Sequence, residues 1–151
     1  MQRMIATIRS NAETHFTAAL VQNAAAEANL VVPANLTSLG LQTRARIQSV
    51  AILSAQNLAW EVWFFGRDLF QESDIDADTF LGRVAFVASD GSRIAGAGAY
   101  YYFAAPSGIL YQDQDNTREM HVMLINRSAG AKDAGAAGEI SVAITMESME
   151  L

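Results

Sequence analysis

The chain has 151 residues, a formal charge of −6, 51% hydrophobic and 17% charged residues, and no cysteine. That length suits one domain with a real core, and the composition is the opposite of a disordered chain. The acidic balance excludes a basic nucleic-acid face, and the missing thiols exclude disulfides, thiolate nucleophiles and cysteine-held zinc.

No stretch approaches the ~18 apolar residues of a membrane-spanning helix. Met1–Ser10 carries Arg3 and Arg9, but no apolar run follows it, so it does not read as a secretory leader. Charged residues are sparse against a typical ~25%, which suggests apolar area hidden in contacts with partners. The basic residues are nine Arg and Lys132 alone. Arg suits bidentate pairing at interfaces, although a genome's base composition would give the same bias.

In chain order, Ser10-Asn11-Ala12-Glu13 resembles a capping box, and Phe16, Ala19, Leu20, Asn23 and Ala24 follow at helical spacing. A helix is predicted over Asn11–Ala28, packed on the domain or reaching a neighbouring subunit, with a linker over Val31–Gln42. From Thr43 the pattern becomes β. In Arg46–Leu53, Ile47, Ala51 and Leu53 are expected on one face, and Gln48, Val50 and Ile52 on the other. In Leu58–Phe65, Trp60, Val62 and Phe64 oppose Glu61, Trp63 and Phe65. Apolar side chains on both faces imply a strand covered on both sides, by the helix, a loop or another subunit.

Arg67–Thr79 reads as a polar loop or short helix. Phe80–Val87 reads as a strand and Ser89–Ser92 as a turn. Small residues then lead into Tyr100–Phe103, Pro106–Gly108 turns the chain, and Ile109–Tyr111 is a short strand. Met120–Asn126 is a strand, Ser128–Gly138 a small-residue loop, and Ile140–Met146 alternates cleanly. The sum is an all-β fold: a β-sandwich or jelly roll of about seven to eight antiparallel strands with an N-terminal helix or arm. Residues 1–42 form the helix, arm and linker, and 43–151 the sandwich.

The chemistry an enzyme needs is sparse. Asp74, Asp76 and Asp78 alternate like the start of a calcium loop, but the Gly and Glu of an EF-hand are replaced by Thr79 and Ala85. A solvated acidic loop is the simpler account, as it is for Asp113 and Asp115. His15 and His121 have no serine elbow to serve and read as structural. Glu61, between Trp60 and Trp63, is the best candidate carboxylate for glycoside chemistry or a sugar-binding face. A charge facing Arg is the commoner arrangement. Gly96-Ala97-Gly98 lacks the third glycine and the helix of a dinucleotide fingerprint. Tyr100–Phe103 could stack on rings, but packing accounts for it better.

Gly108-Ile109-Leu110-Tyr111, the Asp113–Asp115 turn, His121–Ser128, Ala131–Gly135 and Gly138–Val142 together resemble the C-terminal half of small bacteriophage virion proteins of the capsid cement or decoration type. The resemblance covers about a quarter of the chain. It implies a β-sandwich or jelly-roll subunit of the virion, often trimeric, bound to a capsid, without catalysis, cofactor or metal. The expected role is adhesive, with capsid or other virion proteins and further copies of the chain as partners, and with neither nucleic acid nor membrane. Arg46, Trp63, Phe64, Phe65 and Tyr101 are the expected contact residues. Two other functions fit the residues: a carbohydrate-binding module stacking sugars on Trp60, Trp63 and Tyr100–Tyr102, and a small hydrolase using Glu61 or Asp74–Asp78.

Overall fold

The computed structural model describes residues 5–11, 14–16, 25–31, 44–69, 74–94, 96, 98–128 and 140–149. They form ten strands: β1 Ile5–Arg9, β2 Ala25–Val31, β3 Arg44–Ser54, β4 Trp60–Phe65, β5 Phe80–Phe86, β6 Ser92–Ile94, β7 Ala99–Ala104, β8 Leu110–Gln112, β9 Glu119–Asn126 and β10 Ile140–Ser148. All pairings are antiparallel. The first sheet runs β1-β10-β3-β7-β6, with β8 beside the start of β3, and the second runs β2-β9-β4-β5.

The order has a simple logic. β4 pairs β5, β3 pairs β7, β2 pairs β9 and β1 pairs β10, so the pairs are nested like a long hairpin rolled over itself. Successive nested pairs alternate between the sheets, which is the jelly-roll solution to closing a two-sheet sandwich. Side chains alternate across each strand and the inner rows meet. Ile8, Ile47, Val50, Ile52, Tyr102 and Ile144 come from the first sheet; Leu30, Trp60, Val62, Phe64, Val122 and Leu124 come from the second. Each such side chain gains roughly 1.5–3 kcal/mol by leaving water. The Tyr102 hydroxyl is deep in this core but fully used: it accepts from Leu58 N (2.9 Å) and lies 2.7 Å from Asn57 Oδ1 and 2.8 Å from Leu58 O.

Several expectations change. No α-helix occurs among the described residues. Ala25–Ala28 are in β2, paired with Val122–Ile125 of β9, and His15 sits in a turn where its Nδ1 accepts from Asn11 N. The predicted helix Asn11–Ala28 is therefore corrected where it is described; residues 12–13 and 17–24, and 32–43 of the linker, lie outside the described residues. Ladder pairing with β9 overrides alanine's helix propensity. The division at residue 42 is likewise not how the strands pair, because β1 and β2 are members of the two sheets. β6 forms where a turn alone was expected. In β3 the phase reverses: Ala45 and Ile47 face the core, and so do Val50, Ile52 and Ser54. The cause is a bulge, since Met146 opposes Ile47 and Thr145 opposes Ser49, leaving Gln48 as the extra residue.

Candidate functional site

The two outer faces of the sandwich differ, and each holds candidate residues. On the second sheet, Trp63 and Phe65 point outward and pack with Leu69, Ile75, Phe80 and Met123 in a second apolar cluster. Segments 66–69 and 74–79 of the same chain lie over this face. Trp63 packs against Phe80 with tilted rings whose centroids are 5.2 Å apart. The both-faces-apolar pattern of β4 thus has its second cover from the chain's own loop.

Glu61 lies on the same outer face, nearly buried. Its Oε1 accepts from Arg83 Nη1 at 2.8 Å, and its Oε2 from Arg127 Nε at 2.8 Å and Trp63 Nε1 at 3.1 Å. Arg127 also stands over the Trp63 ring at 5.9 Å. Burial pushes the Glu61 carboxyl up, but the hydrogen bonds from Arg127 and Trp63 and the two guanidinium charges outweigh it and hold it below the usual range. A general acid needs the reverse, a raised value and a free lone pair facing a cleft. Glu61 is built as the anchor of two arginines.

Asp76 is also occupied locally: its Oδ1 accepts from Asp78 N and Thr79 N, both at 2.9 Å, and from Thr79 Oγ1 at 3.1 Å. These bonds from Thr79 hold its carboxyl below the ordinary value. Among the described residues no group of three or more His, Asp or Glu is placed to hold a metal.

A polar network pins the 113–118 loop to the same side. Asp115 Oδ2 accepts from Asp68 N (3.1 Å) and faces His121 Nε2 at 3.3 Å, while His121 Nδ1 meets Asn29 Oδ1. Asp113 Oδ2 accepts from Arg118 N at 2.8 Å, whereas its Oδ1 is buried without a partner. Burial and the adjoining Asp115 push the Asp113 carboxyl up. Burial acts the same way on Asp115, but bonds involving Asp113, Thr117 and the Asp68 N–H hold it well below its usual range.

The outer face of the first sheet has no such roof among the described residues. Its middle is small: Ser49 and Ala51 on β3, Ser141, Ala143 and Thr145 on β10, Thr7 on β1. Together they floor a trough of about 440 Å³. One rim is a ridge of Tyr101 and Phe103, nearly parallel rings with centroids 6.5 Å apart. Phe103 is 57% exposed and Tyr101 40%, with Leu53 at 38% and Ile94 at 39% beside them. Four of the eight large hydrophobic side chains exposed among the described residues gather here.

No family model matches the chain, and no curated protein matches it. Among solved structures, a chain from the X-ray structure of tomato aspermy virus is similar: TM-score 0.51, 11% identity, covering 99% of this chain and 78% of that one. The likeness is one of fold. It places this β-sandwich beside a virus protein without implying shared residues.

The predicted contact residues scatter over this map. Arg46 and Tyr101 are exposed on the first sheet's outer face, Arg46 at the far end of β3 beside Leu110. Trp63 is half-buried on the opposite face. Phe64 (0% exposed) is in the main core and Phe65 (1%) beneath the loop, so neither reaches a partner. Trp60 and Tyr102, also at 0%, are lost to the sugar-stacking reading. Phe103, Leu53 and Ile94 were missed; Phe103 was legible, because a period of two places it with Tyr101.

Proposed function

We propose that this chain is a non-enzymatic structural subunit of a virus particle, working by adhesion between proteins. The observation that carries this reading is the open apolar face of Tyr101, Phe103, Leu53 and Ile94 on a sandwich whose other face is closed. The fold likeness to a tomato aspermy virus chain supports it, and so does Glu61, whose carboxylate is consumed by two arginines. The finer reading is a cement or decoration subunit held on a shell by apolar contacts. Its partners are copies of itself, as a trimer or another small oligomer, and a capsid or other virion protein. The net charge of −6 argues against a role in gripping phosphate.

The test is light scattering after size exclusion, with electron microscopy of the same fractions, on the full chain. The expected result is a concentration-dependent oligomer or a regular assembly. A monomer at every soluble concentration, which also fails to bind shells of the virus that encodes it, overturns the proposal.

A further inference from the structure

We infer that the open face of the first sheet is a two-fold docking surface for a second copy of this chain, with Arg9 of each copy seated on Phe103 of the other. This deepens the proposed function and rests on its premise of self-association.

Arg9 pairs with Ala143, Ala143 with Ala51, and Ala51 with Phe103. Four outward side chains thus lie in one row across β1, β10, β3 and β7, one strand apart: a cation, two methyl groups and a ring. Such a row is its own complement. A two-fold axis lying along the strands, between β10 and β3, maps β7 of one copy over β1 of the other. Phe103 then meets the partner's Arg9, and Ala51 meets the partner's Ala143. A guanidinium over a ring is attractive, and methyl against methyl lets the backbones approach. An isologous interface requires this self-complementarity.

The neighbouring rows agree. Thr7, Thr145 and Ser49 make a row of small hydroxyl residues, with Thr7 and Thr145 already bonded at 2.9 Å. The Leu53–Tyr101 pair continues the ridge. The ridge on one side and the trough on the other fit together when the face is turned over onto itself.

Charge points the same way. Arg9 is the charged residue that lines the trough, although the chain as a whole is acidic. Glu61, Asp76, Asp113 and Asp115 lie away from this face; Glu147 lies on it, opposite Arg46 of β3, and the axis between β10 and β3 sets it over the partner's Arg46, so opposite charges meet. The area is modest. Four strands about 4.8 Å apart and about five residues long give roughly 320 Å² of flat surface per copy, before the relief of the rings is counted. That is below the area of a standard specific interface and suits a weak contact rather than a tight isolated dimer.

The experiment is sedimentation equilibrium of the full chain as wild type, Arg9→Glu, Phe103→Ala and the double variant. Unfolding midpoints serve as the folding control. Because a two-fold contact contains the pair twice, each single variant should weaken association about tenfold, and the double little more than the worse single. The exposed positions should leave the midpoints unchanged. Ala143→Arg, which fills the trough, should abolish the contact. If the wild type associates and all the variants match it, the docking face is wrong while self-association stands. If the wild type stays monomeric, both fall.

Discussion

The two outer faces of this sandwich carry similar aromatic residues and treat them differently. On the second sheet Trp63, Phe65 and Phe80 are packed together under the chain's own segments, and Phe65 is 1% exposed. On the first sheet Tyr101 and Phe103 stand out beside a floor of alanine, serine and threonine, and Phe103 is 57% exposed. Both sheets also bury an inner face in the common core. One outer face is therefore closed by the chain's own segments, and the other is left exposed among the described residues. Hydrophobicity alone does not separate the two cases; what separates them is whether a loop of the chain lies across the strand.

The sharpest way to break this comparison is to make the same truncation on both faces. Phe65→Ala opens a cavity under the roof and should cost about 3–5 kcal/mol in urea unfolding. Phe103→Ala removes an exposed ring and should stay within about 0.5 kcal/mol at concentrations where the chain is monomeric. Equal losses at the two sites would mean that the first sheet is covered after all. A smaller effect probes how the roof is attached. Gly66 N donates to Thr79 O, and Gly66 O accepts from Gln114 N, so this residue ties both covering loops. A Cβ there would come within 2.5 Å of the Gln114 side chain and 2.9 Å of the Gln112 carbonyl oxygen. The side chain can swing away but the carbonyl cannot, so Gly66→Ala should cost about 1–3 kcal/mol. It should also raise amide exchange in residues 66–69 while sparing β1 and β10.

Much of the fold was legible where a strand has one wet and one dry face. β10 follows its period of two from Ile140 to Met146, as its burial confirms. The period fails in β3, because the bulge at Gln48 is set by pairing with β10 and leaves no mark on composition. The alanine-rich N-terminal segment reads as helix because alanine favours helix locally, yet β2 gets its structure from β9, about a hundred residues further on. The candidate site was half legible. Tyr101 could be named from its neighbours, and Phe103 follows from Tyr101. Arg9 could not, because its place in the row depends on a ladder between the two ends of the chain. Trp63, Phe64 and Phe65 look alike in sequence, and only the cover over each tells them apart.

Next in size is the anchor of the closed face. Glu61→Gln keeps the shape but strips two arginines of their counter-ion. Both arginines are partly solvated, so the loss should be about 1 kcal/mol rather than that of a buried pair. The sign with pH is fixed. A carboxyl held below its ordinary value stabilises the fold above the unfolded value near 4.3 and loses that contribution as pH falls through its folded value. The difference between wild type and Glu61→Gln should therefore shrink in acid. A constant difference from pH 7 down to pH 3 would assign the effect to packing and not to charge.

Asp113 should behave in the opposite sense. Its carboxyl is raised by burial and by Asp115, so the native chain binds that proton more tightly than the unfolded chain. Its stabilising contribution is complete below the unfolded value near 3.9 and is lost as pH rises through the folded value. Above that point the native state holds an ionised oxygen, buried and without a partner, beside a second carboxylate. Asp113→Asn keeps an oxygen to accept from Arg118 N and cannot ionise. The variant should gain about 1 kcal/mol at pH 7, with the gain vanishing near pH 4. Urea unfolding at several pH values checks this. A gain confined to neutral pH would show the 113–118 loop clamped over the second sheet by a proton-sensitive contact. A loss at every pH would show that the Asp113 carboxylate is itself the clamp.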